Sequence, residues 1–516
     1  MTDTFEYAVP ADADSAPPFS IAVAACALLG FLVLLFVAGA RAAHAQEPTP
    51  RALTARPAIE FSHVNVVDVT KGAVLADMRV VVVDGRISVV RKEARNLFLP
   101  TPDVRIAGDG KYLIPGLWDM HIHSNYPGFP AVMAPQYIAN GVTGVREMFG
   151  DLDVVRQWRS HGASADTIWP RIVASGHIVD GKPPIWPQSV VAVSEADGRR
   201  AVDSLKAAGA DFIKVYSLLP RAAYLGVAAR AKALGIPYAG HVSYGVTVAE
   251  ASDAGQKSIE HMDGIIRACS TRDAEFRPVV RDVVEKGWGF DSIIVAGRAQ
   301  GEALLGSQDE PTCTALAARL RKNGTWLSPT LVVLHGMGWA DDTTQGSDPR
   351  LQYLPKFLTF GWSPKNDFRL KTMTPESWAR RKREFARNQQ LVGFMHKAGV
   401  GIIAGTDMLN PWIFPGWSLH DELAFYVGAG LTPAEALRTA TVNPARYFGL
   451  SDSTGTIARG KWADLVLLDA NPLADIRNTA RVSAVVVDGR LVTSERRQAM
   501  LDEVKRLVKP AAPRKP

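Results

Sequence analysis

Short Val/Ile-rich runs alternate with amphipathic segments from Gly116 to Asp407, and this alternation restricts the chain more than any other feature. Eight runs read as strands: 116–123, 142–148, 171–175, 212–216, 237–241, 258–261, 326–333 and 401–407. Between them, 196–208 and 221–234 carry apolar residues at three- and four-residue steps, the spacing of a helix with one buried face. Strand–helix alternation of this kind predicts an α/β fold with a parallel sheet, and eight units suit a (β/α)8 TIM-type barrel. An open doubly wound sheet is the competing arrangement, but no Gly-x-Gly-x-x-Gly follows the first run.

The flanks differ. Residues 59–69 and 78–90 are rich in Val and Ile, with Asp84-Gly85 as a turn signal, and 104–113 adds a further strand. The other end has the same character in 463–468, 482–487, Asp488-Gly489 and 490–492. We read 46–115 and 451–500 as one small β-sandwich built from both termini, enclosing a barrel at 116–450. The polar, aromatic-containing stretch 336–390 falls between the last two strands, where long barrel loops shape substrate pockets.

Residues 19–40 are almost purely apolar, and Ala43-His44-Ala45 follows, which reads as a signal peptide cleaved after Ala45. Export makes the protein periplasmic or secreted. The run is also long enough to span a bilayer, and an acidic lead precedes it, so an uncleaved membrane anchor is the alternative. Val23-Ala24-Ala25-Cys26 has the look of a lipoprotein box, but most of the apolar run follows Cys26. Three cysteines without a CxxC pair exclude a thiolate zinc site. Cys269 and Cys313 could bridge in a mature chain, and their spacing leaves that open. The net charge of +6 gathers partly in 501–516, which reads as a solvated basic tail. No basic stripe is interleaved with aromatics, so no nucleic-acid partner is expected.

In His121-Ile122-His123 the two imidazoles are two residues apart in a strand and face the same side. Lys214 lies in the apolar run Phe212-Ile213-Lys214-Val215-Tyr216, where a lysine is costly unless paired, modified or functional. His241, His261 and Asp407 each end a strand. Taken singly, each reads as a satisfied core residue. Together they fall at one rim of the barrel, where barrels place their chemistry, and predict a metal site. Imidazole and carboxylate donors suit zinc, with manganese, cobalt or iron as alternatives. Tyr216 shares the face of Lys214, and His177 follows the third strand; both are candidate substrate contacts. His420 is a candidate for orienting the pocket. Arg146 is a candidate partner for a substrate carboxylate, or else part of a structural ion pair. His161, His335 and His396 read as structural.

The motif Pro115 to His123, Lys214, His241, His261, Gly405-Thr406-Asp407, Leu431-Thr432-Pro433, Thr441 to Ala445 and Gly460 to Leu465 resemble the amidohydrolase superfamily, in its imidazolonepropionase-like and prolidase-like branch. The resemblance implies a carboxylated Lys214 bridging two divalent ions. His121, His123 and Asp407 would hold one ion, and His241 and His261 the other. It implies a metal-dependent hydrolase of peptide-like amides, such as dipeptides or N-acyl amino acids. Its metal-bridging hydroxide would attack the carbonyl while Asp407 carries the proton. A cyclic amidase, lactonase or deaminase would use the same barrel, and a non-catalytic scaffold would not need the ions. A small-molecule substrate and a homo-oligomer are expected.

Overall fold

The computed structural model describes residues 56–93, 101–123, 128–162 and 167–509. The apolar run 19–40, Cys26, the cleavage site expected at Ala45 and the end of the chain from 510 lie outside the described residues. No helix among the described residues is long and apolar enough to cross a membrane.

The strands are β1 (Ile59–Asp68), β2 (Ala73–Val83), β3 (Arg86–Lys92), β4 (Val104–Ala107), β5 (Tyr112–Pro115), β6 (Leu117–Ile122), β7 (Val142–Glu147) and β8 (Arg171–Ala174). There follow β9 (Val179–Asp180), β10 (Val190–Val191), β11 (Ile213–Val215), β12 (Tyr238–Gly240), β13 (Ser258–Glu260) and β14 (Trp326–Ser328). The last are β15 (Leu465–Leu468), β16 (Val482–Val487) and β17 (Arg490–Val492).

The two ends of this region do join. They form one eight-stranded sheet in the order β17-β16-β15-β5-β1-β2-β3, with β4 beside β1. Side chains alternate across a strand, and both faces are apolar. Leu113, Leu465, Leu467 and Val486 pack with Phe61 and Val80 in one cluster. Their neighbours Ile114, Val466, Leu468 and Val485 enter the main core. The expected Asp-Gly turns form, with positive φ at Asp84, Gly85, Asp488 and Gly489. A Cβ on Gly489 would lie 2.4 Å from Gly85 Cα, so the two hairpin tips abut.

The central strands all pair in parallel: β6-β7-β8 in one sheet, and β10-β9-β11-β12-β13-β14 in another. Residues 401–407 form no regular strand, a departure from the expected run. Instead Ile402 bridges Leu327 and Met408 bridges Ile122, both in the parallel sense. Met120 N donates to Ala404 O at 2.8 Å, so this segment links β14 to β6. Gly405 permits the approach, because a Cβ there would sit 2.8 Å from the His121 Cβ. Across the other gap, Asp211 N donates to Ala174 O at 2.8 Å.

Two further expectations change, and one crossover is longer than the fold requires. The run 326–333 is strand only to Ser328; Thr330 takes φ +48 and opens the helix Leu331–Gly338. Three longer helices, Asp273–Glu285, Phe290–Gly306 and Glu310–Asn323, stand between β13 and β14, where one crossover helix would suffice. The basic tail begins as helix. Ser494–Val508 is capped by Thr493, whose side chain accepts from Arg496 N. Met500, Val504 and Val508, four residues apart, face the core. The charges of this segment are the solvated face of a packed helix, and the sheet ends before residue 494. Cys269 and Cys313 are joined by a disulfide.

Candidate metal centre

The strand ends converge as the residues dictate. His121 is fully buried at the end of β6, and its Nε2 lies 3.2 Å from Lys214 Nζ and 3.3 Å from Asp407 Oδ1. His123 Nε2 is 3.0 Å from the same Asp407 oxygen. His241 and His261 follow β12 and β13, with ring centroids 4.8 Å apart, and His261 stands 4.5 Å from the His121 ring. One ligand atom each from His121, His261 and Asp407 lie within 4.8 Å of one another. His261 and Asp407 hold left-handed backbone, φ +59 and +62. Such strain is rare outside glycine and concentrates at functional sites.

The surroundings select one nitrogen of three rings. His121 Nδ1 meets Glu260 Oε2 at 2.8 Å, His241 Nδ1 meets Ser217 Oγ at 2.8 Å, and His261 Nδ1 meets Thr330 Oγ1 at 2.7 Å. With Nδ1 engaged, Nε2 is left to coordinate. Burial, with Lys214 nearby, drives His121 far below its ordinary pKa, and burial with His261 nearby does so for His241. Burial brings His261 down to about 4. Neutral imidazoles are the ligand form. Burial alone would raise Asp407, but His261, His123 and Lys214 hold it below the ordinary carboxylate value. Burial lowers Lys214 to about 8. Burial opposes a charge on His123, but Asp407 and Glu147 raise its pKa above the ordinary value, as carboxylates beside an imidazole do. The donor set fits divalent ions: three imidazoles held neutral, a fourth beside a carboxylate, an ionised carboxylate and an amine with a lowered proton affinity.

His123, Lys214, His241, His261 and Asp407 line a cavity of about 880 Å³, with His121 buried behind them. Its wall includes Tyr216, whose hydroxyl accepts from Trp186 Nε1 at 3.0 Å. The stretch 336–390 contributes Met337, Phe368, Arg369, Arg381 and Glu384, as expected of a pocket-shaping insertion.

Other candidates lie elsewhere. Arg146 is fully buried behind the site, with its Nη2 2.9 and 2.8 Å from the two Glu260 oxygens and its Nη1 2.8 Å from Ser258 Oγ. It is not among the residues lining the cavity, and the carboxylate it holds is internal. His420 bonds Asn140 O and Thr479 Oγ1, which ties its helix to the terminal region and orients no pocket residue. His177 stands behind Phe149, with ring centroids 6.2 Å apart, and does not join the cluster. His161 and His335 stack on Trp169 and Trp339, and His396 pairs with Glu435, which agrees with structural roles.

Sequence reasoning missed Glu260 and Asp119. The burial cost that singled out Lys214 applies equally to a glutamate in Ser258-Ile259-Glu260. Asp119 is two residues before His121 and shares its face. Its carboxylate accepts from His121 N, Thr406 N and Thr406 Oγ1, and so pins β6 to the Asp407 segment.

Residues 112–492 match the amidohydrolase family, and the chain belongs to it. Membership supports a hydrolase enzyme and implies the (β/α)8 architecture for the parallel strands. The chain is 42% identical to an imidazolonepropionase of Deinococcus deserti over 89 residues, 17% of this chain and 22% of that protein. It is 37% identical to ochratoxinase of Aspergillus niger over 109 residues, 20% of this chain and 21% of that one. These matches thus span about a fifth of each relative. A solved Xaa-Pro dipeptidase with methionine in its active site shares the fold, with a TM-score of 0.59 at 20% identity, covering 85% of this chain and 100% of that one.

Proposed function

We propose that this protein is a metal-dependent hydrolase of exocyclic, peptide-like amide bonds, with two divalent ions held by His121, His123, Lys214, His241, His261 and Asp407. The observation that carries this reading is the convergence of those side chains at one mouth of the parallel strands, each engaged histidine leaving Nε2 for an ion. The parallel strands read as a closed (β/α)8 barrel, and the shared terminal sheet as its sandwich. Lys214 is buried and has no carboxylate within ion-pairing distance among the described residues. That setting favours addition of the neutral Nζ to carbon dioxide, with loss of a proton, and the resulting carbamate would supply oxygen ligands in place of the amine. The donor set suits zinc first, with manganese, cobalt or iron as substitutes.

When bound, the ions supply Lewis acidity toward the carbonyl and lower the pKa of water. Asp407, kept ionised by its imidazole neighbours, takes the proton from the attacking water and returns it to the leaving nitrogen. Burial keeps the Tyr216 phenol protonated, and its oxygen already accepts from Trp186. Its own proton is therefore available to a substrate carbonyl.

The Cys269–Cys313 disulfide supports an oxidising compartment, and with it export to the periplasm or beyond. The imidazolonepropionase match favours, as a second reading, a ring substrate at the same centre. A screen of metal-loaded protein against dipeptides, N-acyl amino acids, lactams and lactones separates the two. Release of a free amine from open-chain amides is expected. Turnover confined to lactams or lactones would sink the first reading.

A further inference from the structure

The insertion before the Asp407 segment places two arginines on the cavity wall, and their partners differ. Arg369 donates to both oxygens of Asp367, with Nε at 3.0 Å and Nη2 at 2.6 Å, and its Nη1 donates to Asn410 Oδ1 at 2.6 Å. Three of its five N–H groups are taken and its charge is paired with Asp367. Glu384, also on the wall, is engaged by Arg380 Nε at 3.2 Å. Arg381, on the helix Pro375–Lys397, lines the same cavity. Among the described residues it makes no ion pair and no side-chain hydrogen bond. Burial pulls its proton affinity below the ordinary arginine value, with Glu384 opposing only in part. An unpaired guanidinium taken partly out of water is costly unless a ligand completes it. Its planar fork matches a carboxylate in two parallel hydrogen bonds.

The rest of the wall says what accompanies the anion. Trp186, Phe368 and Phe290 meet edge to face, with centroids 5.8 and 5.9 Å apart, and all three line the cavity. Rings in that arrangement accept another flat or bulky apolar group. Arg146, the arginine that the sequence offered for a substrate carboxylate, is paired with Glu260 and does not line this cavity.

We propose that Arg381 is the specificity residue that receives a free carboxylate of the substrate, beside an aromatic wall of Trp186, Phe290 and Phe368 that receives a large apolar side chain. The substrate class is then the N-acylated or peptidyl α-amino acid with a bulky apolar side chain and an unblocked carboxylate. This rests on the amide-hydrolase reading above and narrows it.

The test compares N-acetyl-L-phenylalanine with N-acetyl-phenethylamine, which lacks only the carboxylate, using metal-loaded wild type, Arg381→Met and Arg381→Lys. Wild type should favour the acid in kcat/KM, and the ratio of the two values should collapse by about 30-fold in Arg381→Met. Charged hydrogen bonds are worth that much. Arg381→Lys should keep part of the preference. Calorimetry of L-phenylalanine against phenethylamine runs alongside, so the assignment is tested even if neither amide is cleaved. Wild type should bind the amino acid more tightly, and Arg381→Met should lose that difference while its melting temperature stays put. Failure to cleave any amide, with carboxylate-selective binding intact, would count against the hydrolase reading alone. An acid preference unchanged in Arg381→Met, or equal binding of both probes by wild type, would overturn the role of Arg381.

Discussion

At the scale of single residues, the centre depends on groups that keep other groups in one state. Asp407 is held ionised by His123, His261 and Lys214 and is fixed in a left-handed conformation. Asparagine has the same shape and can occupy that backbone, so Asp407→Asn should fold normally. On the proposed reading it removes a carboxylate ligand and the proton carrier together. We expect kcat to fall at least about 1000-fold, since general acid–base groups alone contribute 10²–10⁴. Steady-state rates with a thermal melt check this, and near-wild-type turnover would refute the role. Glu260 acts one step back. It accepts from His121 Nδ1 and is itself neutralised by the bidentate Arg146. Glu260→Gln should weaken zinc binding by about 10–100-fold, the usual effect of losing a ligand's orienting partner. Competitive chelator titration reads this directly, and an unchanged affinity would reduce Glu260 to a packing role.

At the scale of elements, what the sequence made legible was periodic or local. The strand carrying His121, the alternation that aims His121 and His123 together, and the two Asp-Gly turns all rest on spacing within a few residues. The missed features depend on partners far along the chain. The segment before Asp407 reads as a strand, yet Ala404 N turns aside to Thr439 O, and Thr406 N and Asp407 N both go to His121 O, so the ladder breaks. The three longer helices between His261 and Trp326 are separated by local signals, Gly287 and Gly289 and then Asp309 before Pro311, but what they pack on is not local. Arg146 illustrates the same limit: nothing near it in sequence identifies Glu260 as its partner. The disulfide was also open in sequence, and it now has a measurable role. It joins Cys269, at the end of the helix Ile265–Ala268, to Cys313 in the helix Glu310–Asn323, at a sequence separation of 44. Closing a loop of that length restricts the unfolded chain by at most about 4 kcal/mol. A Cys269→Ser/Cys313→Ser double variant should lose about 2–4 kcal/mol in denaturant titrations. Identical midpoints would mean the bridge does not constrain the chain.

At the scale of the whole molecule, the six proposed ligands come from β6, β11, β12, β13 and the segment that links β14 back to β6, separated by nearly the full span of the parallel strands. Ions bound there would cross-link the ring at points the backbone hydrogen bonds hold only sparsely, notably residues 401–407. A ligand that binds the folded but not the unfolded chain stabilises it by RT ln(1 + [L]/Kd), about 4 kcal/mol at a thousandfold excess over Kd. Chelation should therefore abolish activity and also lower the melting temperature. For a chain this large, about 4 kcal/mol corresponds to roughly 4 °C, because the unfolding entropy grows with length. Zinc or manganese should restore both properties in parallel, with the melting temperature rising as the logarithm of free metal. The two readouts separate the roles of the ions. Recovery of melting temperature without activity would mean that the metals act only as clamps. Activity that survives in demonstrably metal-free protein would remove the ions from the chemistry, and with them the reason these six side chains meet.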